Sequence, residues 1–487
     1  MGRRRGRPGP ARWSRRLAAG LVLWTFVLAS CAVNPVTGKK ELSLISEQGE
    51  IELGRETNAE ITAQYGVYDP PGAGAYVAGV GKRIFPHSHR PNLPYAFQVL
   101  DTPVVNAFAA PGGFIYVTRG ALALINTESE LAVVLGHELG HVAARHTVRR
   151  MSEMIVLQVG LAVGSALSDT FAEIAGAAGI GVQLLYLKFS RDDERQADAL
   201  GVEYARRAGF NPARMINFFA TLQRLGDMSG GSSLPGFLST HPLNSERIKN
   251  VSGMLTEADR SLAVRRDAYL QAVDNLVYGE DPRQGYVEGS VFYQPTLRFA
   301  LTFPQGWKVQ NTPSQVTLAS ADGQAAFVLE AEKTAEGLKA YAGRKSAEIK
   351  ERELLNEASL TVNGLAAYEQ LYRVPRQDKD PLRVRLSFVR KGEYVYTLGA
   401  LSAAASFDAF DGPFRGILRS FREVRDAAHL NRGPRRLKIV KAPGDRTLQA
   451  IFEAAGMPKD SWAKAALLNG MQVTDKPVAG QWIKTIR

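Results

Sequence analysis

The run VVLGHELGHVAARH, residues 133–146, constrains this chain more than any other stretch, because it sets His137, His141 and His146 into an apolar, helix-forming segment. The preceding Thr127-Glu128-Ser129-Glu130 reads as a capping box, a threonine N-cap with a glutamate three residues on. A helix starting there and running through Arg145 puts His137 and His141 about 40° apart, on one face and one turn apart. Two imidazoles so spaced suit one Zn²⁺ at about 2.0–2.1 Å, with Glu138 beside them in reach of a water on that metal. This is HExxH, an arrangement of metal-dependent hydrolases. His146 falls about 180° from His137 on the same wheel, so it reads as a solvated or C-terminal-turn histidine. A further Gly and His, seven and ten residues after the first histidine, would mark a metzincin; Ala144 and Thr147 stand there instead. The third ligand comes from elsewhere.

Glu173, Glu194 and Glu203 are the nearest downstream carboxylates in helical contexts. Glu194 is preferred, because Asp198 follows four residues later on the same face. Asp198 would accept the free N–H of a ligating histidine and so fix its tautomer. Asp192, Asp193, Arg191 and Arg195 read as a solvated charged rim. Gly136, Gly140, Ala143 and Ala144 leave room for a second helix against the motif. His87 and His89, in a Pro-flanked loop, read as surface residues.

The formal charge of +12 does not point to nucleic acid, since the first thirty residues hold seven arginines and no acid. Without them 53 basic face 48 acidic side chains. That segment has the layout of an export signal, a basic region followed by the thirteen apolar residues Leu17–Ala29, short of the roughly 20 a bilayer span needs. The single cysteine, Cys31, follows Leu28-Ala29-Ser30, which resembles a bacterial lipobox, so Cys31 is the expected lipidation site. An intrachain disulfide is excluded. With Ala32 rather than aspartate next, the expected anchorage is the periplasmic side of the envelope, at the outer membrane.

Texture divides the chain into an expected signal peptide (1–30), a histidine-bearing domain (31–278), a strand-rich α+β accessory domain (285–425) and a last module (434–487). Asn34–Leu53 reads as a polar linker giving way to an amphipathic stretch. VNAFAAPGGFIYVTRG reads as a hairpin, Val105–Ala109 and Phe114–Thr118 about a Pro-Gly-Gly turn, with Asn106 and Ala107 the candidate edge for substrate bound by strand addition. Met154–Ser168 and Ile174–Leu187 are apolar and Gly/Ala-rich but too short for regular spans, so buried helices are the default reading and a membrane-touching flap the sharper one. In the accessory domain, helices are expected near 334–352 and 407–420.

NPVTGKKELSLISEQGEIELG, VNAFAAPGGFIYVTRGAL, HELGH, the ERQAD run and STHPLNSERI, in that order over roughly 34–251, together resemble the CAAX-prenyl-protease superfamily of zinc metallopeptidases, in its bacterial periplasmic, BepA-like branch. The resemblance implies a mainly helical, gluzincin-type domain with a small sheet. It implies one zinc per chain, held by His137, His141 and Glu194, with Glu138 as general base. His241 and Arg247 are the candidate oxyanion donors. By the same resemblance His241 lies near the zinc, where it would cap the metal and hold the enzyme latent. The last module resembles a LysM-type peptidoglycan-binding domain of βααβ order, although Arg446 interrupts the usual GDTL run.

The expectation is thus an α+β multidomain zinc endopeptidase acting on unfolded or misassembled envelope proteins, with the membrane as anchor and peptidoglycan as a second tether. The alternatives are a zinc hydrolase of peptidoglycan peptides and a non-enzymatic assembly scaffold.

Overall fold

The computed structural model describes residues 31–68, 72–162, 188–228, 236–243, 245–376 and 379–487. The expected signal segment, Glu173 and most of the two apolar stretches lie outside the described residues. No described helix is long and apolar enough to cross a membrane. Among the described residues the chain is a mixed α+β protein of two compact units, 31–62, 67–276 and 437–487 in one, and 63–66 with 277–436 in the other.

The first unit opens with a two-stranded ribbon, β1 (Cys31–Val33) and β2 (Lys40–Leu42), followed by helices α1 (Glu47–Tyr65) and α2 (Ala73–Ile84). A three-stranded sheet comes next: β3 (Ala96–Leu100), β4 (Ala107–Ala110) and β5 (Phe114–Thr118), in the order β3-β5-β4. The last two make the expected hairpin, Ala107 opposite Val117, across a turn in which Gly112 has φ 74°. A Cβ on Gly112 would come within 2.8 Å of Ile51 Cα, so the turn's contact with α1 also calls for glycine there. The helices α3 (Arg119–Leu124), α4 (Glu128–Ala143), α5 (His146–Ala162), α6 (Arg191–Arg207), α7 (Arg214–Met228), α8 (Gly236–Thr240), α9 (Ser245–Met254) and α10 (Arg266–Ala272) follow.

The HExxH helix is α4, and every one of its residues is buried. Thr127 caps it, its hydroxyl accepting from Glu130 N at 3.0 Å. The Glu130 carboxylate does not close the box on Thr127; it accepts from Asn126 N at 2.6 Å, one residue further back. Against α4 lies α6, at glycine distance. A Cβ on Gly136 would sit 3.0 Å from Gly201 O, and one on Gly201 2.9 Å from His137 N. The small residues of the motif therefore receive the very helix that carries Glu194 and Asp198.

α4 does not run through Arg145. It stops at Ala143, Arg145 takes φ 56°, and a new helix starts at His146. A left-handed non-glycine residue costs roughly 1–2 kcal/mol, and the segment expected to be a linker offsets it. Arg145 donates to Glu50 Oε2 at 3.1 Å and to Ile45 O at 2.7 Å. Asn34, 3% exposed, donates to Ala144 O at 3.2 Å. The residues from Asn34 to Glu50 are thus a brace on the helix break, because the carbonyl and guanidinium exposed there need buried partners.

The second unit holds a seven-stranded antiparallel sheet and a four-stranded one. The first is built of β9 (Lys308–Asn311), β10 (Gln315–Ala319), β11 (Ala325–Lys333), β12 (Glu353–Val362), β13 (Leu365–Arg376), β14 (Lys379–Lys391) and β15 (Tyr394–Ala403). The second joins β6 (Tyr286–Glu288), β7 (Val291–Gln294), β8 (Phe299–Thr302) and β16 (Arg422–Glu423). α11 (Leu338–Ala347) and α12 (Phe407–Ser420) fall within the helical stretches expected; a short α13 (Ala427–Leu430) follows. Phe292, Phe299, Phe327 and Phe414 share one core.

The last residues form β17 (Leu437–Lys441), α14 (Leu448–Ala454), α15 (Lys459–Leu468) and β18 (Trp482–Ile486), with the two strands antiparallel. The order is βααβ. These residues do not make a third body: they belong to the first unit. Lys484, wholly buried, donates to Ala123 O at 2.8 Å, Ile125 O at 2.5 Å and Leu468 O at 3.0 Å, fastening β18 to the carbonyl end of α3.

Candidate metal centre

α4, α6 and the turn after α8 bring four donors together. His137, His141, Glu194 and His241, all buried, place one ligand atom each within 4.8 Å of one another. His141 Nε2 lies 3.1 Å from His137 Nε2, and His241 Nδ1 lies 3.3 Å from His137 Nε2 and 2.7 Å from Glu194 Oε1. Glu194 is 3.6 Å from His137 Nε2 and 3.5 Å from His141 Nε2. Four donors each about 2.0–2.1 Å from one tetrahedral ion would be separated by about 3.3 Å. The spacing and the nitrogen-rich donor set therefore fit a single zinc.

Both HExxH histidines are oriented from behind. His137 Nδ1 is 3.0 Å from Asp198 Oδ1, the pairing expected from the four-residue spacing on α6. His141 Nδ1 is 2.9 Å from His146 Nδ1, whose Nε2 is 2.9 Å from Gln196 Oε1. His146 is 0% exposed. The expectation of a solvated His146 facing away is therefore corrected. The helix wheel does not extend past the break at Arg145, and the new helix turns His146 back toward His141. Asp193 is corrected too: far from a solvated rim, it is 3% exposed, serves as N3 of the Ser190 capping box on α6, and pairs with Arg149. Arg191, Asp192 and Arg195 are exposed as expected.

Arg247, 3% exposed, forks onto Asp198 at 2.7 and 2.6 Å and reaches Glu194 Oε2 at 2.8 Å. Its Nη1 also approaches Pro242 O at 3.3 Å. With its donors so engaged, Arg247 positions two carboxylates and the His241 turn; the expected oxyanion role does not match this place. His241 is sandwiched between the rings of Phe237 (4.7 Å) and Phe189 (5.5 Å). Glu138 is 1% exposed, and its Oε1 and His241 Nε2 face each other at 3.7 Å, each without a hydrogen-bond partner among the described residues.

Burial, opposed by the nearby Glu194, pushes His141 down to about 3, and burial lowers His146 as well. Both rings are thus held neutral, so that each can donate on one nitrogen and accept on the other. Burial would raise Glu194, but His241 and His141 outweigh it and hold the carboxyl well below its usual range. Burial likewise opposes, and Arg247 and His137 overcome, the ionisation of Asp198.

Ala107 opens β4, an edge strand of its sheet, and Asn106 just before it bonds through its backbone to Thr118. Their neighbour Val105 is engaged through its carbonyl, which accepts from Phe237 N at 2.9 Å. Glu203 pairs with Arg207, and His89 meets Tyr204; neither joins the centre.

Residues 72–255 match Peptidase family M48. A beta-barrel assembly-enhancing protease of Yersinia pestis is 32% identical over 227 residues, 44% of this chain and 46% of that protein. The protein of the same name in Escherichia coli K12 is 29% identical over 44% of this chain and 45% of its own length. A mitochondrial metalloendopeptidase OMA1 of Schizosaccharomyces pombe is 29% identical over 46% of this chain and 66% of its own. The chain thus spans about half the length of the bacterial relatives it matches. Residues 72–255 are thus similar to peptidase family M48, and the matched stretch encloses the whole four-donor cluster, whose donors fit one zinc.

Proposed function

We propose that the chain is a zinc endopeptidase that hydrolyses peptide bonds of unfolded or misassembled envelope proteins, anchored to the bacterial membrane through a lipidated Cys31 on the periplasmic side. The observation that carries the reading is Glu138, buried beside His137, His141 and Glu194 with a carboxylate oxygen left unpaired in the site. Zinc, when bound, supplies a Lewis acid for the scissile carbonyl and acidifies the attacking water. Glu138 takes the water's proton and returns it to the leaving amine. Asp198 and His146 hold the proton on Nδ1 of His137 and His141, which leaves both Nε2 lone pairs aimed at the centre. The names of the bacterial relatives, which speak of β-barrel assembly, support the envelope substrate class.

His241 is the natural latch. As a fourth donor it closes the coordination set, and an open position is what distinguishes a catalytic from a structural zinc site. The same short segment covers Val105 O, so displacing it would free both the metal and the start of the β4 edge, where a substrate strand would add beside Asn106 and Ala107. The βααβ module would serve as a LysM-like contact to peptidoglycan.

The test is cleavage of an unfolded protein, and separately of purified sacculi, by wild type, Glu138→Gln and His241→Ala, with zinc assayed in each. The reading expects proteolysis in wild type or His241→Ala and higher activity in the latter. Glu138→Gln should bind zinc without cutting. Release of peptide from sacculi alone would turn the assignment to peptidoglycan. Zinc in every form with no cleavage of either would turn it to a scaffold.

A further inference from the structure

A cavity of about 300 Å³ lies away from the metal centre. Its walls come from the N-terminal end of α4 (Asn126, Glu130), from α7 (Arg214, Arg224), from Arg266 at the start of α10, and from Asn469 after α15. The charge there does not balance. Three arginines face one glutamate, and Glu130 already accepts from Asn126 N. Arg224 has Met471 O at 2.6 Å, and Arg266 has Trp482 O at 3.1 Å, neutral acceptors both. The Nε of Arg214 and the Nε of Arg266 are buried without a hydrogen-bond partner among the described residues. Burial lowers Arg266, and Arg214 adds to that against the pull of Glu130. Guanidinium groups gathered in a partly dry pocket repel one another, and an unmatched buried cation is costly unless something pairs with it.

We propose that this cavity is a binding site for a small anion of the carboxylate or phosphate class. A guanidinium fork fits the oxygens of either group in bidentate fashion. The positive end of α4, a helix of 16 residues, adds to the attraction. The cavity has the volume of roughly ten waters, so it admits a ligand of amino-acid or dipeptide size rather than a bare ion alone. Because Asn469, Gly470 and Gln481 contribute one wall, the ligand would bridge the C-terminal βααβ module and the base of the HExxH helix.

Titration calorimetry on the whole chain tests this with two probes, inorganic phosphate and the dipeptide Ala-Ala, with the dipeptide amide as control. One-to-one binding of phosphate or of the free dipeptide is expected, weakened about tenfold or more in Arg214→Gln. Phosphate binding alone identifies a phosphate site. Dipeptide binding that disappears in the amide identifies a carboxylate site. Arg214→Lys and Arg266→Lys keep the charge and guard against a variant that fails to fold, which circular dichroism and zinc content would reveal. No saturable binding of either probe up to millimolar concentration, or equal binding by folded wild type and Arg214→Gln, overturns the proposal.

Discussion

Arg145 is a single residue in an unusual conformation, and it decides which histidine backs His141. With φ at 56° it ends one helix and aims the next so that His146 Nδ1 meets His141 Nδ1 at 2.9 Å. His146→Ala should therefore weaken zinc binding by about 10–100-fold, the usual cost of losing such an orienting partner. Competition titration with a chelator reads this directly, and unchanged affinity would remove His146 from the site. Glu138→Gln should behave oppositely, with full zinc content and cleavage reduced by about 10²–10⁴-fold or more. Steady-state rates beside zinc analysis separate the two. At this scale the sequence is legible where the geometry is local. His137 and His141 share a face because four residues make a turn, and Asp198 follows Glu194 by the same rule. The place of His146 is not legible, because nothing local announces a left-handed arginine at 145; that arginine's support comes from Glu50 and Ile45, about a hundred residues away in sequence. Arg247 offered no local sign that its partners would be Asp198 and Glu194.

The helix pair α4 and α6 is the element on which the centre depends, since one carries two histidine donors and the other carries Glu194. Gly201→Ala would set a Cβ 2.9 Å from His137 N and 3.2 Å from Met215 Cε. The methionine can swing away; the backbone nitrogen cannot. Overpacking of this kind costs about 1–3 kcal/mol. Because the helices must separate to relieve it, zinc affinity should fall along with the melting temperature. Gly79→Ala in α2 is the control, for its Cβ would meet nothing within 4 Å. That change should be neutral or stabilising by up to about 1 kcal/mol. Thermal unfolding with and without chelator measures both variants, and a Gly201→Ala protein as stable as wild type would contradict the packing argument. The glycine and alanine spacing in GHELGHVAA announces that a helix lies close. Which helix it is depends on long-range packing that composition does not record.

At the scale of the whole molecule, the chain leaves the first unit at Leu276 and re-enters it at Leu437. Asn275 N donates to Leu437 O at 2.9 Å and Leu437 N to Leu276 O at 2.8 Å, so the two ends are already adjacent. The composition change near residue 280 and the Gly-Pro near 434 mark where the texture shifts. The pairing of those ends is invisible in sequence, and so is the return of the last module to the first unit. Joining Leu276 to Leu437 through a short Gly-Ser linker should therefore give a soluble protein that keeps one zinc per chain, since closing so small a gap costs little chain entropy. Removal of 437–487 should do the reverse. It takes away Lys484, whose buried Nζ donates to the carbonyls of Ala123 and Ile125 directly before the HExxH helix. Lys484→Met isolates that contribution: it leaves buried carbonyls without donors, at about 1–3 kcal/mol each, and should lower the melting temperature while leaving the metal ligands untouched. Unfolding curves and zinc stoichiometry on the three variants distinguish the cases. A zinc-free or insoluble internal deletion, or a truncation at 436 as stable as the full chain, would mean that the C-terminal module is not part of the core that holds the metal centre.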